Sequence, residues 1–362
     1  MKNKASYREF DWLLVALILV ISAVGIVEIY SVTAETGLAG QYRLQVCWVL
    51  IGLVAMLVIS RLDYHMILGH VPWIYLGVVV LLGVLLVAGE PIGGARRWIH
   101  LGGLNFQVSE IAKLVIIMAL ARYFAGVNSK HLGWKDIFVV GVVVSVPLLL
   151  VALQPDLGTA LTFVVIALAG VVVAGIRIRQ VVLLALAGAL LMPAGMWFLK
   201  PYQQERLRTF IQPEADIQGS GYQINQSKIA IGSGGFWGKG LRQGTQNRLG
   251  FIPGAHTDFI FAVFAEEHGF VGTVFVLLLY LLLLMRLLDG AQSAVDRAGS
   301  FLVMGFAAVL FFQITISTAM IIGLAPVTGI PLPLMTYGGS SALFTFMGFG
   351  LALSVRMRRF VN

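Results

Sequence analysis

Ten apolar runs, each long enough to cross a lipid bilayer, fix what this chain can fold into. A spanning helix takes about 20 mainly apolar residues, within a range of roughly 17–25. The runs are Trp12–Val32, Leu44–Ser60, Pro72–Gly89, Phe106–Phe124, Ile137–Leu153, Leu157–Gly175, Val181–Leu199, Phe259–Arg286, Phe301–Leu324 and Leu334–Val355. Only 12% of residues are charged and 59% are hydrophobic, against roughly 25% charged in a soluble domain. Such a chain cannot cover itself with a water-compatible surface. It reads as an all-α integral membrane protein, a single polytopic domain over residues 1–362. The first run has no small-residue cleavage site behind it and reads as a retained span. One cysteine, Cys47, leaves no intrachain disulfide to form.

Lysine and arginine collect in short cytoplasmic loops. With a cytoplasmic N-terminus that side holds fourteen: Lys2, Lys4, Arg8, Arg61, Arg122, Lys130, Lys135, Arg177, Arg179, Arg286, Arg297, Arg356, Arg358 and Arg359. The opposite short loops hold three, Arg43, Arg96 and Arg97. Both termini are therefore expected in the cytoplasm, and the long polar stretch 200–258 is expected outside. The net charge of +8 then reflects membrane anchoring and gives no reason to invoke nucleic acid. No internal repeat is visible, which argues against a two-fold transporter architecture.

The 200–258 stretch is read as a loop without secondary structure of its own, and long loops of that kind are usually functional. Its cations are Lys200, Arg206, Arg208, Lys228, Lys239, Arg242 and Arg248; its acids are Glu205, Glu214, Asp216 and Asp258. Glycines and cations at a bilayer surface suit an anionic, phosphate-bearing headgroup; a solvated basic loop fits the same composition. Asp258 precedes the apolar run that opens with Phe259. Partial desolvation there would favour a general-base role, and a helix N-cap is the competing reading. His256 either ligates a metal or, the favoured reading, bonds a neighbour. Glu110 and Lys113 lie three apart on one helix face inside a span, where ionisable groups line a cavity or pair to fix packing. Glu28 either snorkels or lines the same cavity. Asp156, between Pro155 and Gly158, marks a tight turn or broken helix, and one of Glu266 and Glu267 is expected to face an interior cavity. Arg96-Arg97-Trp98 reads as an interfacial cluster, for lipid phosphate or for plain anchoring.

These residues carry a resemblance. Gly94-Ala95-Arg96-Arg97-Trp98-Ile99, Gln107-Val108-Ser109-Glu110-Ile111-Ala112-Lys113, Gln154-Pro155-Asp156-Leu157-Gly158-Thr159, Gln226-Ser227-Lys228-Ile229-Ala230, His256-Thr257-Asp258-Phe259, Ala265-Glu266-Glu267 and Tyr337-Gly338-Gly339-Ser340-Ser341 run in order along the chain. Together they resemble the SEDS family (shape, elongation, division and sporulation). Lys228 and Gly244-Thr245-Gln246 look like its RodA, or elongation, branch. Two departures stand out: Val108 where relatives usually have proline, and Pro253-Gly254-Ala255 where many have Pro-Glu.

The resemblance implies a peptidoglycan glycosyltransferase with ten spans in the bacterial cytoplasmic membrane. It would polymerise lipid II on the outer face during elongation, beside a class B penicillin-binding protein. It implies that Asp258 is the general base and that Glu110, Lys113 and Asp156 line a central cavity. Arg206, Arg208, Lys228, Lys239 and Arg242 would engage the substrate. Positive charge for the departing pyrophosphate would come from those side chains or from a divalent cation, Mg²⁺ or Mn²⁺. A lipid II flippase and a scaffold that activates a partner enzyme are the competing functions.

Overall fold

The computed structural model describes residues 10–34, 38, 40–89, 97–101, 104–127, 129, 131–198, 201–212 and 219–359. Lys2, Lys4, Arg8, Arg96, Lys130, Lys200, Glu214 and Asp216, all named above, lie outside these residues. Helices α1 (Trp12–Thr33), α2 (Gln41–Arg61) and α3 (Tyr64–Ala88) lead to a two-stranded hairpin, β1 (Trp98–Leu101) and β2 (Leu104–Gln107). The strands pair antiparallel, Trp98 opposite Gln107. Helices α4 (Val108–Ala125), α5 (Trp134–Leu153), α6 (Leu157–Ala174) and α7 (Ile178–Phe198) follow. Three short helices, α8 (Pro201–Ile211), α9 (Ser220–Ser233) and α10 (Thr245–Arg248), precede α11 (Ile260–Gln292), α12 (Arg297–Ile321) and α13 (Gly339–Arg356).

Seven of these, α1, α2, α3, α5, α6, α11 and α12, are long and apolar enough to cross a membrane by length and composition. Exposed side chains such as Trp73, Phe138, Leu149 and Val172 form the surface that lipid would cover. Helices α4 and α13 are buried along most of their length. They form the middle of the bundle with α12, which packs on α4, α6, α11 and α13, while α2 runs along α13. Close approach there needs small residues: a Cβ at Gly350 would stand 2.8 Å from the Met56 carbonyl oxygen.

Three expectations need correction. The 200–258 stretch is not structureless, because α8, α9 and α10 lie within it. Hydropathy reads this stretch as polar, yet Gly221, Ile224, Ser227 and Ala230 repeat at helical spacing and are the buried face of α9. Helix α3 starts at Tyr64 rather than Pro72, because Asp63 accepts the His65 amide and caps a polar first turn. The run from Phe259 is not one smooth span: Gly269 sits at φ 66°, ψ −162°, and breaks α11. Those angles are open to glycine and costly for other residues.

That break exposes backbone groups that helix would otherwise satisfy, and the loop after α9 takes them up. The Lys239 and Gly240 amides donate to the Glu266 and Glu267 carbonyls at 3.0 and 2.9 Å, and the Phe270 and Val271 amides donate back to Gly235 and Phe236. Gly238 (φ 83°) permits the contact, since a Cβ there would overlap the Glu267 carbonyl.

Candidate active site

A cavity of about 850 Å³ opens between the hairpin, α5, α6, α8 and the loops before α11 and α13. Its polar wall carries Arg97, Gln107, Glu110, Asp156, Arg206 and Asp258, and its apolar wall Leu148, Leu157, Leu161 and Val164. One half can meet a charged headgroup and the other a hydrocarbon chain.

Asp156 organises one side. It caps α6, accepting the Thr159 amide at 3.2 Å and its hydroxyl at 3.0 Å. Its other contacts come from the hairpin: Gln107 Nε2 at 2.7 Å and the Arg97 guanidinium at 3.2 Å. The Gln107 amide in turn donates to Ser340 Oγ at 2.8 Å, at the start of α13. The carboxylate thus holds Arg97 in the cavity, where a bilayer-surface anchor would have faced lipid headgroups.

Asp258 lies on the same polar wall, half-buried. It does not cap α11, whose N-cap is Phe259 and has no side-chain cap bond. The Phe259 amide donates instead to the Gly254 carbonyl at 3.3 Å, closing an irregular turn around Asp258 just before the helix. Gly329 (φ 70°) is its neighbour: a Cβ there would stand in ordinary contact, 3.9 Å from Oδ2. Burial pushes the Asp258 carboxyl above the ordinary aspartate range, while Arg206 and Arg97 pull it back. Arg206 reaches this wall from α8, donating to the Val327 carbonyl at 3.0 Å. His256 bonds through its backbone, its carbonyl accepting the Tyr337 amide at 3.2 Å, and burial pushes the pKa of its imidazole below the usual range.

Glu110 lines the cavity and Lys113 does not. The lysine lies beneath it, 2.8 Å from both carboxylate oxygens and 4.3 Å from the centre of the Phe344 ring. The pair therefore packs α4 against α13 while presenting its acid to the cavity. Glu28 is buried away from the cavity lining.

The remaining cations fall elsewhere. Arg208 and Lys228 are exposed on α8 and α9. Lys239 ion-pairs with the buried Glu266 at 2.6 Å, and Arg242 lies 5.8 Å over the Tyr30 ring. Neither of the two acids of α11 reaches the cavity lining: Glu266 binds the loop and Glu267 accepts the Ser31 hydroxyl of α1 at 2.7 Å. Residues one apart on a helix point about 100° apart, and here each meets a different neighbour. Sequence reasoning missed Gln107 and Gly329 in the site; the motif around Gln107 and the glycine's turn were the available signals.

A model of the FtsW/RodA/SpoVE family of cell cycle proteins matches residues 9–360. The peptidoglycan glycosyltransferase MrdB of Escherichia coli (strain K12) is 41% identical over 263 residues, covering 71% of this chain and 70% of that one. The peptidoglycan glycosyltransferase RodA of Treponema pallidum (strain Nichols) is 32% identical over 426 residues, covering 97% of this chain and 98% of its own. Among solved structures, a chain of a peptidoglycan synthase complex that coordinates polymerization and crosslinking superposes with a TM-score of 0.84 at 34% identity, covering 98% of this chain and 99% of that one. RodA from Thermus thermophilus superposes with a TM-score of 0.73 at 31% identity, covering 98% of each. An all-α bundle, a cavity with a polar and an apolar wall, and matches along nearly the whole sequence lead to one conclusion: the chain belongs to the FtsW/RodA/SpoVE (SEDS) family and falls with its RodA branch.

Proposed function

We propose that this peptidoglycan glycosyltransferase joins lipid II units into glycan strands, with Asp258 as general base. The observation that carries the reading is the placement of Asp258 in one cavity with Arg97 and Arg206, beside an apolar wall. In the reaction, Asp258 takes the proton of the acceptor's 4-hydroxyl as that oxygen bonds to the donor's anomeric carbon. The anomeric bond to pyrophosphate breaks, and the departing oxygens gain charge opposite Arg97 and Arg206. General-base help contributes roughly 10²–10⁴ in rate, and fixed charge at the leaving group contributes on the order of 10²–10³ per donor. One carboxylate base fits direct displacement with inversion.

Arg208 and Lys228, exposed on the flanking helices, are proposed to meet the headgroup outside the cavity; Lys239 and Arg242 are proposed to act on substrate through the loop they hold. The polar face carrying Asp258 faces outward from the bacterial cytoplasmic membrane, with both termini in the cytoplasm, as the distribution of Lys and Arg indicates. A class B penicillin-binding protein of the elongation machinery is the proposed partner.

Arg206→Ala tests the electrostatics. The base acts ionised, so activity falls as pH drops through its pKa. Arg206 lowers that pKa, and its removal moves the acid limb of the polymerisation profile to higher pH while KM for lipid II rises. An acid limb that stays in place removes Arg206 from the site.

A further inference from the structure

We propose a divalent transition-metal site, for a cation of the Zn²⁺ or Mn²⁺ class, formed by Glu28 of α1 with Glu267 and His268 of α11. One ligand atom from each of the three lies within 4.8 Å of the others. None of the three residues lines the catalytic cavity, so the site is separate from the glycosyl-transfer chemistry.

Glu28 points to a ligand. It is 0% exposed, yet neither carboxylate oxygen has a hydrogen-bond partner among the described residues. Buried carboxylates are paired, neutralised or bound to metal. His268 Nδ1 stands 3.8 Å from Glu28 Oε2, beyond hydrogen-bond reach. Donors that share an ion about 2.0–2.2 Å from each stand roughly 3–4 Å apart, a separation that modest side-chain rotation provides here.

The neighbours hold the donors in the required orientation. The Ser31 hydroxyl is 2.7 Å from both oxygens of Glu267 and itself accepts the Arg242 amide at 3.0 Å. The His268 ring stacks on Phe264, centroids 4.3 Å apart, with Nδ1 3.3 Å from the Phe264 carbonyl oxygen. Nδ1 is the ring nitrogen toward Glu28, so the tautomer with its proton on Nε2 offers the Nδ1 lone pair to the ion. The His268 side chain is 34% exposed, which gives a route for metal exchange. Two carboxylates and an imidazole suit Zn²⁺ or Mn²⁺ better than Mg²⁺, which prefers oxygen ligands and its own water.

The site lies next to Gly269, where α11 breaks and the 235–240 loop docks. A bound ion would tie α1, the broken helix and that loop together. Its role would be structural.

The test is equilibrium binding to the full-length protein in detergent, stripped with chelator and titrated with ZnCl₂, MnCl₂ or MgCl₂. Bound metal is counted by mass spectrometry after desalting, and thermal unfolding is followed alongside. The expected result is one Zn²⁺ or Mn²⁺ per chain and a raised Tm, with little response to Mg²⁺. Glu28→Gln and His268→Ala each weaken binding by more than about tenfold and remove the Tm gain. His268 is partly exposed, so its variant reports even if Glu28→Gln does not fold. Wild type without bound metal, variants that bind as wild type does, or an equal response to Mg²⁺ would each overturn the site. Failure here leaves the Asp258 reading intact, because the two share no residue.

Discussion

Glu266→Ala is expected to release the loop between Gly234 and Arg248 and to destabilise the protein by about 3 kcal/mol, the lower end for breaking a buried ion pair. Glu266 is 0% exposed. Its Oε1 accepts from Lys239 Nζ at 2.6 Å, from the Thr245 amide at 2.8 Å and hydroxyl at 3.0 Å, and from the Gln246 amide at 3.2 Å. Truncation leaves these donors without their acceptor, and an unmade buried hydrogen bond costs the desolvation of its donor. Lys239 is 26% exposed, so water recovers part of the loss and the lower figure applies. The loop carries Lys239, Arg242 and Arg248, all cleavage sites for trypsin. Thermal unfolding in detergent should show the lower Tm, and limited trypsinolysis should cut the variant loop faster than the wild type. Glu266→Gln keeps an acceptor oxygen and should fall between the two. An unchanged Tm and cleavage rate for Glu266→Ala would show that the loop is held by its backbone contacts alone.

Asp258→Asn is expected to lower polymerisation by about 10²–10⁴, the range for a lost general base, with a Tm close to wild type. The substitution keeps the side chain's shape and removes its ability to take a proton. The fold should tolerate it because Asp258 caps no helix: Phe259 holds that position. Burial also raises its pKa, so the ionised form contributes no stability that an amide would lose. Asp258→Glu retains a base on a longer arm and should keep more activity than the amide. A large fall in Tm with the amide would instead assign Asp258 a structural role.

The bundle was readable because lipid demands continuous apolar runs, and each expected run contains a helix. The details that escaped are those that hydropathy does not encode. Gly269 lies in an apolar stretch, and its φ of 66° follows from the loop that docks on it. In α9, Ile224, Ser227 and Ala230 mix apolar and small polar residues, so the helix left only a weak apolar pattern. The site was half legible. Asp258 stood out at the edge of a polar stretch, and Glu110 and Asp156 stood out as acids among apolar residues. Arg97 reads in sequence chiefly as an interfacial anchor, because only the hairpin, through Gln107 and Asp156, brings it into the cavity. Lys239 read as a headgroup contact because its partner Glu266 is 27 residues away, a pairing that sequence spacing does not reveal.

Polymerisation of lipid II in proteoliposomes separates glycosyl transfer by Asp258 from lipid transport. The wild type and Asp258→Asn would each be co-reconstituted with the proposed partner, a class B penicillin-binding protein carrying an inactivated transpeptidase serine. Polymer from the wild type and about 10²–10⁴-fold less from the folded variant is the expected result. Equal polymer from both, or labelled lipid II crossing the bilayer with no polymer from either, would contradict it; the second outcome would put a flippase in its place.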